Sequence, residues 1–409
     1  MTGVQLIASL GGWEGYRVGT VGPYDLSRKG REFWIELRPV GGPGVCSACG
    51  AVCKGVHDVQ ERFVRELSVL GMECWLLVHR RRVMCTQCGG PKVERLSWLG
   101  PWARHTNRFA ESVARLCKVT SVKQAAALHG INWKTAKTID KQYLEREIGP
   151  PNLSNLTVLA MDEFAIRKGQ RYATIFVEPR RKEVLWVCNG HRREDVRAFF
   201  EMLGEHGRQR LEAVAMDMNG AYEHEVRSQC PNAQIVFDHY HVVAKYGHEV
   251  INRVRLEEIE RLKHDPSQRT LIKGARWLLL RNPRNLSRPQ DRIRLSELLS
   301  ANRRIALVHI LRDDLKHLWD FKYPAAAKRF WEQWRRRAIR SRIGPLKIFV
   351  RRLEPYIHGI IAHCRYPLHT SLLKGINNKI KVLKRVAYGY HDDQYFFLKI
   401  RQAFPGIGR

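Results

Sequence analysis

The segments LAMDEF (159–164) and VAMDMNGAY (214–222) decide how this chain is read. In each, an apolar run with the texture of a buried strand stops at an aspartate, Asp162 in the first and Asp217 in the second. Short apolar runs rich in β-branched residues fit strands covered on both faces. A carboxylate where such a strand ends lies at the rim of a sheet, between core and solvent.

Working outward, 157–161, 172–178, 184–188, 212–216 and 234–237 read as strands, and 193–207 and 220–229 as helices. Three strands, a helix, a strand, a helix and a last strand is the order of an RNase H-like α/β catalytic core. In such a sheet the first and fourth strands are neighbours, so Asp162 and Asp217 meet in space although 55 residues apart in sequence. Two aspartates there suit Mg²⁺ or Mn²⁺, which activates water or a 3′-hydroxyl and stabilises the leaving oxygen in in-line phosphoryl transfer. The plainer alternative is a pair of turn-forming residues after strands. From 241 to 365 the pattern is helical and basic without a convincing strand, too long for a loop, and reads as a large all-α insertion. The remainder, 366–409, is a helical part of the core, interrupted near Gly389.

Upstream, Gly149-Pro150-Pro151 ends a helical stretch and marks a domain boundary. Strand-like stretches at 33–37 and 73–84 flank two knuckles, Cys46-x-x-Cys49 and Cys85-x-x-Cys88, separated by 35 residues. Two such turns supply four thiolates for one tetrahedral zinc, a closed structural site with no open position. The long spacer calls for a β-hairpin, and the nearby Cys53, Cys74, His57 and His79 are substitute ligands or ordinary packing residues. In SVKQAAALHGINWKTAKTIDKQYLE (121–145), Ser121 and Gln124 form a capping box. His129-Gly130-Ile131 makes a turn, and Asn132 caps a second helix presenting Trp133, Lys134, Thr135, Lys137 and Thr138. Such a helix-turn-helix reads DNA with the start of its second helix; an ordinary helical hairpin has the same outline. The organisation is therefore a β-rich zinc module (1–100), a helix-turn-helix (101–150), the first part of the core (151–240), the all-α insertion (241–365) and the helical remainder (366–409).

Composition agrees. Seventy-one Lys and Arg against 40 Asp and Glu give a formal charge of +31, which suits a polyanionic partner. No signal peptide or membrane-length apolar run is evident, so the expectation is a cytoplasmic protein with thiols reduced. Two basic stretches stand apart. NNKIKVLKR (377–385) offers Asn377, Asn378, Lys379 and Lys381 to DNA phosphates near the acidic site, and FWEQWRRRAIRSR (330–342) either clamps DNA or buries Trp331 and Trp334 in a core.

The strings MDEFAIRKGQRYATIFVE (161–178), MDMNGAYEHEV (216–226), PNAQIVFDHYHVV (231–243) and GINNKIKVLKRVAYGYHDDQYFFLKIRQAFPG (375–406) resemble the IS-L-three family of insertion-sequence transposases. The likeness runs over nearly the whole chain. It implies a DDE-type enzyme that binds terminal inverted repeats and target DNA as a homodimer, and that cleaves and transfers strands with two Asp and one Glu holding two divalent metals. Asp162 and Asp217 match the two Asp, and Asp238 matches a motif on the fifth strand, where it orients His239 or His241 or simply closes a turn. One position departs: where the resemblance implies Glu, immediately before Gly-x-Asn-Asn-Lys, this chain has Lys374. An ammonium does not ligate Mg²⁺, and beside two aspartates it is expected to pair with them and compete with metal. That sets an active transposase against a catalytically inactive, sequence-specific DNA-binding repressor. A structure-specific nuclease is disfavoured because it has little use for sequence reading.

Overall fold

The computed structural model describes residues 3–23, 32–281, 285–368 and 371–407. The chain divides into two units, residues 1–149 with 384–391, and residues 150–383 with 392–409. The break follows Gly149, which ends its helix at φ +59°.

In the first unit, helix α1 (Gly3–Gly11) leads into strands β1 (Tyr16–Pro23) and β2 (Glu32–Pro39). The short pair β3 (Gly44–Val45) and β4 (Val52–Cys53) carries the first knuckle. Then come β5 (Val56–Val69), β6 (Met72–Met84) and the short β7 (Pro91–Val93). The sheet order is β1-β2-β6-β5 with β7 on the far end of β6. The expected hairpin between the knuckles is β5–β6, turned by Leu70 and Gly71, both at positive φ. Along β6, Cys74, Leu76 and Val78 point into a core with Trp13, Ile35, Leu37, Val64, Trp98 and Leu99. Only 33–37 of the first two strands was legible, because β1 carries two glycines and a proline and lacks a period-two pattern.

The helices α2 (Asn107–Val119), α3 (Val122–Leu128) and α4 (Trp133–Ile148) start at side-chain caps Thr106, Ser121 and Asn132. The Ser121–Gln124 box is reciprocal. Buried Ala125, Ala126 and Ala136 let the helices approach closely around Phe109, Val113 and Ile139. Arg65 of β5 fastens this bundle to the hairpin. Its guanidinium, between the rings of Trp75 and Phe109, donates to the carbonyls of Cys74 and His129 and pairs with Glu73.

The second unit is built on β8 (Val158–Arg167), β9 (Arg171–Glu178), β10 (Glu183–Asn189), β11 (Ala213–Met216) and β12 (Gln234–Phe237), in the order β10-β9-β8-β11-β12. The first three pair antiparallel, and β8, β11 and β12 pair parallel. Helix α5 (Arg193–Arg210) precedes β11 and α6 (Gly220–Gln229) precedes β12. Phe176 of the sheet stacks on Phe199 of α5 at 4.1 Å. After β12 the described elements are helical: α7 (His239–Tyr246), α8 (Asn252–Arg261), α9 (Pro266–Lys273), α10 (Arg276–Leu280), α11 (Pro289–Ala301), α12 (Arg303–Lys316), α13 (Pro324–Arg340), α14 (Gly344–Leu353), α15 (Ile357–Ile361), α16 (Ser371–Val386) and α17 (Asp393–Ala403). A continuous apolar core runs from the sheet into α14 and α15. Trp331 and Trp334 belong to it, buried and stacked at 5.4 Å, with the Trp334 indole donating to the Leu311 carbonyl. They are packing residues and do not clamp DNA.

Candidate active site and DNA interface

Parallel register places the acids. Ala215 of β11 lies opposite Ala160 of β8, and Met216 opposite Phe237 of β12. Continuing each ladder by a residue or two brings Asp217 level with both Asp162 and Asp238. Adjacent strands run about 4.8 Å apart, and side chains of equal parity share a face. Three aspartates from three neighbouring strands therefore converge on one face of the sheet. Asp162 is not at its strand's end, as expected, but in the middle, because β9 extends the antiparallel ladder to Arg167. What ends beside Asp162 is the parallel neighbour β11, and that opening exposes the carboxylate level.

Each carboxylate is held. Asp162 accepts the Glu163 backbone N–H at 2.9 Å and the Asn377 side-chain amide at 2.7 Å. Asp217 accepts the Met218 N–H at 2.6 Å, and its other oxygen lies 2.9 Å from His241 Nδ1. Asp238 caps α7 by accepting the Tyr240 N–H, and its second oxygen is 3.7 Å from His241 Nε2. Of the two histidines expected near Asp238, His241 is the one it faces; His239 instead stacks on Trp319. Burial pushes Asp162 up to about 6. Burial also pushes Asp217 up, but its hydrogen bond and charge interaction with His241 outweigh that and leave it below the ordinary carboxylate range. His241 is correspondingly raised to about 9, chiefly by its hydrogen bond to Asp217. A cleft of about 350 Å³ lined by Asp217, Met218, Tyr240, His241, Ala244 and Lys245 opens beside them.

Lys374 does not take the place expected of it. Its ammonium sits 4.6 Å from the centre of the Tyr240 ring, and the described ion pairs join it to neither aspartate. The side chain is exposed, so water and the ring face compete with the carboxylates for its charge. Asn377, one turn along α16, makes the contact to Asp162 instead of facing outward with Asn378, Lys379 and Lys381, which are exposed. The contacts of Asn377 with Asp162 and of His241 with Asp217 were not expected from the sequence, which offered Asn377 to DNA phosphates and His241 to Asp238 alone, since these partners lie 215 and 24 residues away.

In the first unit, the Sγ atoms of Cys46, Cys49, Cys85 and Cys88 lie within 4.8 Å of one another. Cys46–Cys88 and Cys49–Cys85 are 4.0 and 3.5 Å apart, bracketing the about 3.8 Å that a tetrahedral four-thiolate zinc requires. Among the described residues no other group of three His, Cys, Asp or Glu converges so tightly. Cys53 donates to the Ala51 carbonyl, Cys74 is in the core, His57 pairs with Asp58, and His79 with Glu36 and Glu61. None of these four is a zinc ligand. On the helix-turn-helix, Asn132, Trp133, Lys134, Thr135 and Thr138 are exposed and Lys137 is half-buried, while Ala136, Ile139 and Asp140 face inward.

Comparison with known proteins follows this order of parts. A transposase family model matches residues 159–400. The chain belongs to the ISL3 family of DDE-type transposases. The helix-turn-helix domain of transposase family ISL3 matches 94–144, and the zinc-finger of transposases IS204/IS1001/IS1096/IS1165 matches 42–88. The transposase for insertion sequence element IS1001 of Bordetella parapertussis is 48% identical over 406 residues, 99% of each chain. The transposase for IS1557 of Mycobacterium tuberculosis is 25% identical over 356 residues, 81% of this chain and 78% of its own. This transposase thus has a DNA-binding helix-turn-helix and a structural zinc site formed by the cysteine quartet. None of its described helices is long and apolar enough to cross a membrane.

Proposed function

We propose that this transposase binds the terminal inverted repeats of its element through α4 and carries a divalent-metal site on Asp162 and Asp217 of an RNase H-like core. In this reading the helices between α7 and α15 are an insertion in that core, α16 and α17 complete it, and the protein acts as a dimer on paired ends. The observation that carries the reading is the parallel register bringing Asp162 and Asp217 side by side. The strand order and the two helices preceding β11 and β12 support it.

The donor set fits a hard cation. It is carboxylate oxygen from two neighbouring strands, and Asp162 is buried with its acidity weakened chiefly by that burial. Bound there, Mg²⁺ or Mn²⁺ would supply Lewis-acid activation of a phosphodiester and its attacking oxygen. The chain's own residues do the positioning. The Glu163 and Met218 N–H groups fix one oxygen of each aspartate, and Asn377 and His241 aim the other. Asp238 steadies His241 from the far side.

Lys374 supports a second reading, in which the protein binds ends but cuts them poorly and acts as a repressor. The third carboxylate is replaced by a cation that stands over Tyr240, a wall of the cleft. Incubation with a DNA fragment carrying the element's own ends and Mg²⁺ separates the two. Nicks at the ends that vanish in Asp162→Asn and Asp217→Asn support catalysis, whereas binding without nicks supports the repressor.

A further inference from the structure

Between the zinc-module hairpin and the helix-turn-helix lies a cavity of about 530 Å³ that groove reading by α4 does not account for. Its lining includes the exposed ring of Phe63, the half-buried Trp75 with Phe109 buried behind, the basic Arg62 and Arg104, and Thr135 of α4. The floor is built rather than accidental. The segment Arg104–Thr106 hydrogen-bonds along the outer edge of β5, with Arg65 N–H to the Arg104 carbonyl at 2.8 Å and Thr106 N–H to the Arg65 carbonyl at 3.0 Å. The buried Arg65 guanidinium lies between Trp75 and Phe109. Phe63 remains 48% exposed, and Arg62 lies over the 69% exposed ring of Trp102.

We propose that this cavity receives one unstacked base of the DNA strand that α4 contacts, with the neighbouring phosphates held by Arg62 and Arg104. The class of ligand follows from the lining. Aromatic faces accept any base by stacking, and the lining arginines match the backbone charge. The cavity is of single-ligand size, so it excludes a duplex and admits one nucleotide. Thr135 ties the pocket to the reading helix, so a base drawn from the stack there lies beside the sequence being read. The inference rests on α4 as the reading helix.

The test uses the full-length protein and duplexes of the element's terminal repeat carrying 2-aminopurine at one position at a time. Fluorescence is expected to rise on binding at one position and at no position in a scrambled duplex of equal length. Phe63→Ala, a change at an exposed side chain, is expected to abolish that rise and to weaken repeat binding roughly 5- to 100-fold, the range of one base–aromatic stack. Arg62→Ala is expected to weaken binding while leaving the emission of the bound complex in place. Circular dichroism and zinc content unchanged in both variants exclude misfolding as the cause. No rise at any position, or a rise that survives Phe63→Ala, overturns the proposal. If Lys134→Ala alone loses discrimination between repeat and scrambled DNA, α4 stands and the pocket falls. A wild type that does not discriminate overturns both.

Discussion

Replacing Lys374 by glutamate tests the acidic site most directly. Residues 374 and 377 are one turn apart on α16, about 4.5 Å along the axis at 1.5 Å per residue, and Asn377 touches Asp162. A charge at 374 therefore lies roughly 8 Å from that carboxylate once side-chain reach is added. The substitution changes local charge by two units. Acting on a dication at that distance through an effective dielectric of about 40 to 80, appropriate to an exposed side chain, the change is worth about 2–4 kcal/mol. That corresponds to roughly 30- to 1000-fold in Mg²⁺ or Mn²⁺ affinity. The lost contact with Tyr240 subtracts only about 0.5–1 kcal/mol of stability. Mn²⁺ binding followed by electron paramagnetic resonance reads the affinity without any DNA, and nicking of end-bearing DNA reads activity. Lys374→Glu is expected to bind Mn²⁺ at least an order of magnitude more tightly and to nick DNA the parent leaves intact. Asp217→Asn in that background should undo both. Robust nicking by the parent, or equal Mn²⁺ affinity in parent and variant, would refute the reasoning.

Other outcomes follow from the same structure. Purified protein should hold close to one zinc per chain, and Cys46→Ser or Cys88→Ser should lose it while the second unit stays folded; full retention by both variants would remove the assignment. Affinity for end DNA should fall steeply with salt, and Lys134→Ala or Thr135→Ala should reduce discrimination as well as strength; unchanged discrimination moves the reading surface elsewhere. His309 is buried in the helical layer, and burial first, then the Arg312 charge, lowers it to about 4. Because it is neutral when folded, its contribution is complete above the unfolded value near 6.5. It is lost as pH falls towards 4, on the order of 3 kcal/mol at full protonation. His309→Gln should flatten that part of the acid-denaturation curve of the second unit, and an unaltered curve would show that other groups govern it.

What was legible in the sequence was local chemistry. A knuckle, a Ser-x-x-Gln cap or an Asn before a helix needs neighbours within four residues, and those at 46–49, 85–88, 121–124 and 132 sit in the structure as read. Strand order was legible because apolar runs and their spacers alternate cleanly from 157 to 237. The misreadings were of long-range partners. Asp162 was placed at a strand end because the apolar run stops there, yet β9 carries the pairing five residues further. Lys374 was paired with acids by charge alone, although the ring it covers belongs to Tyr240, far away in sequence. Arg65 reads as one more basic residue in a basic strand, and only tertiary structure shows it holding the helices to the hairpin.

The turn of the helix-turn-helix has a consequence for how such elements diversify. Gly130 stands at φ +65°, and a Cβ on it would lie 2.2 Å from a Glu73 carboxylate oxygen. A side chain there has to adopt the left-handed conformation and push the Glu73 carboxylate away from Arg65, so the turn beneath α4 resists change. The outward residues Trp133, Lys134, Thr135 and Thr138 carry no comparable packing duty. On the proposed reading of the ends by α4, an element whose ends drift can follow them by exchanging those few side chains while the mount stays fixed. The same proposal makes this chain a scaffold for retargeting, with a small library at four exposed positions sampling new end sequences on an unaltered frame.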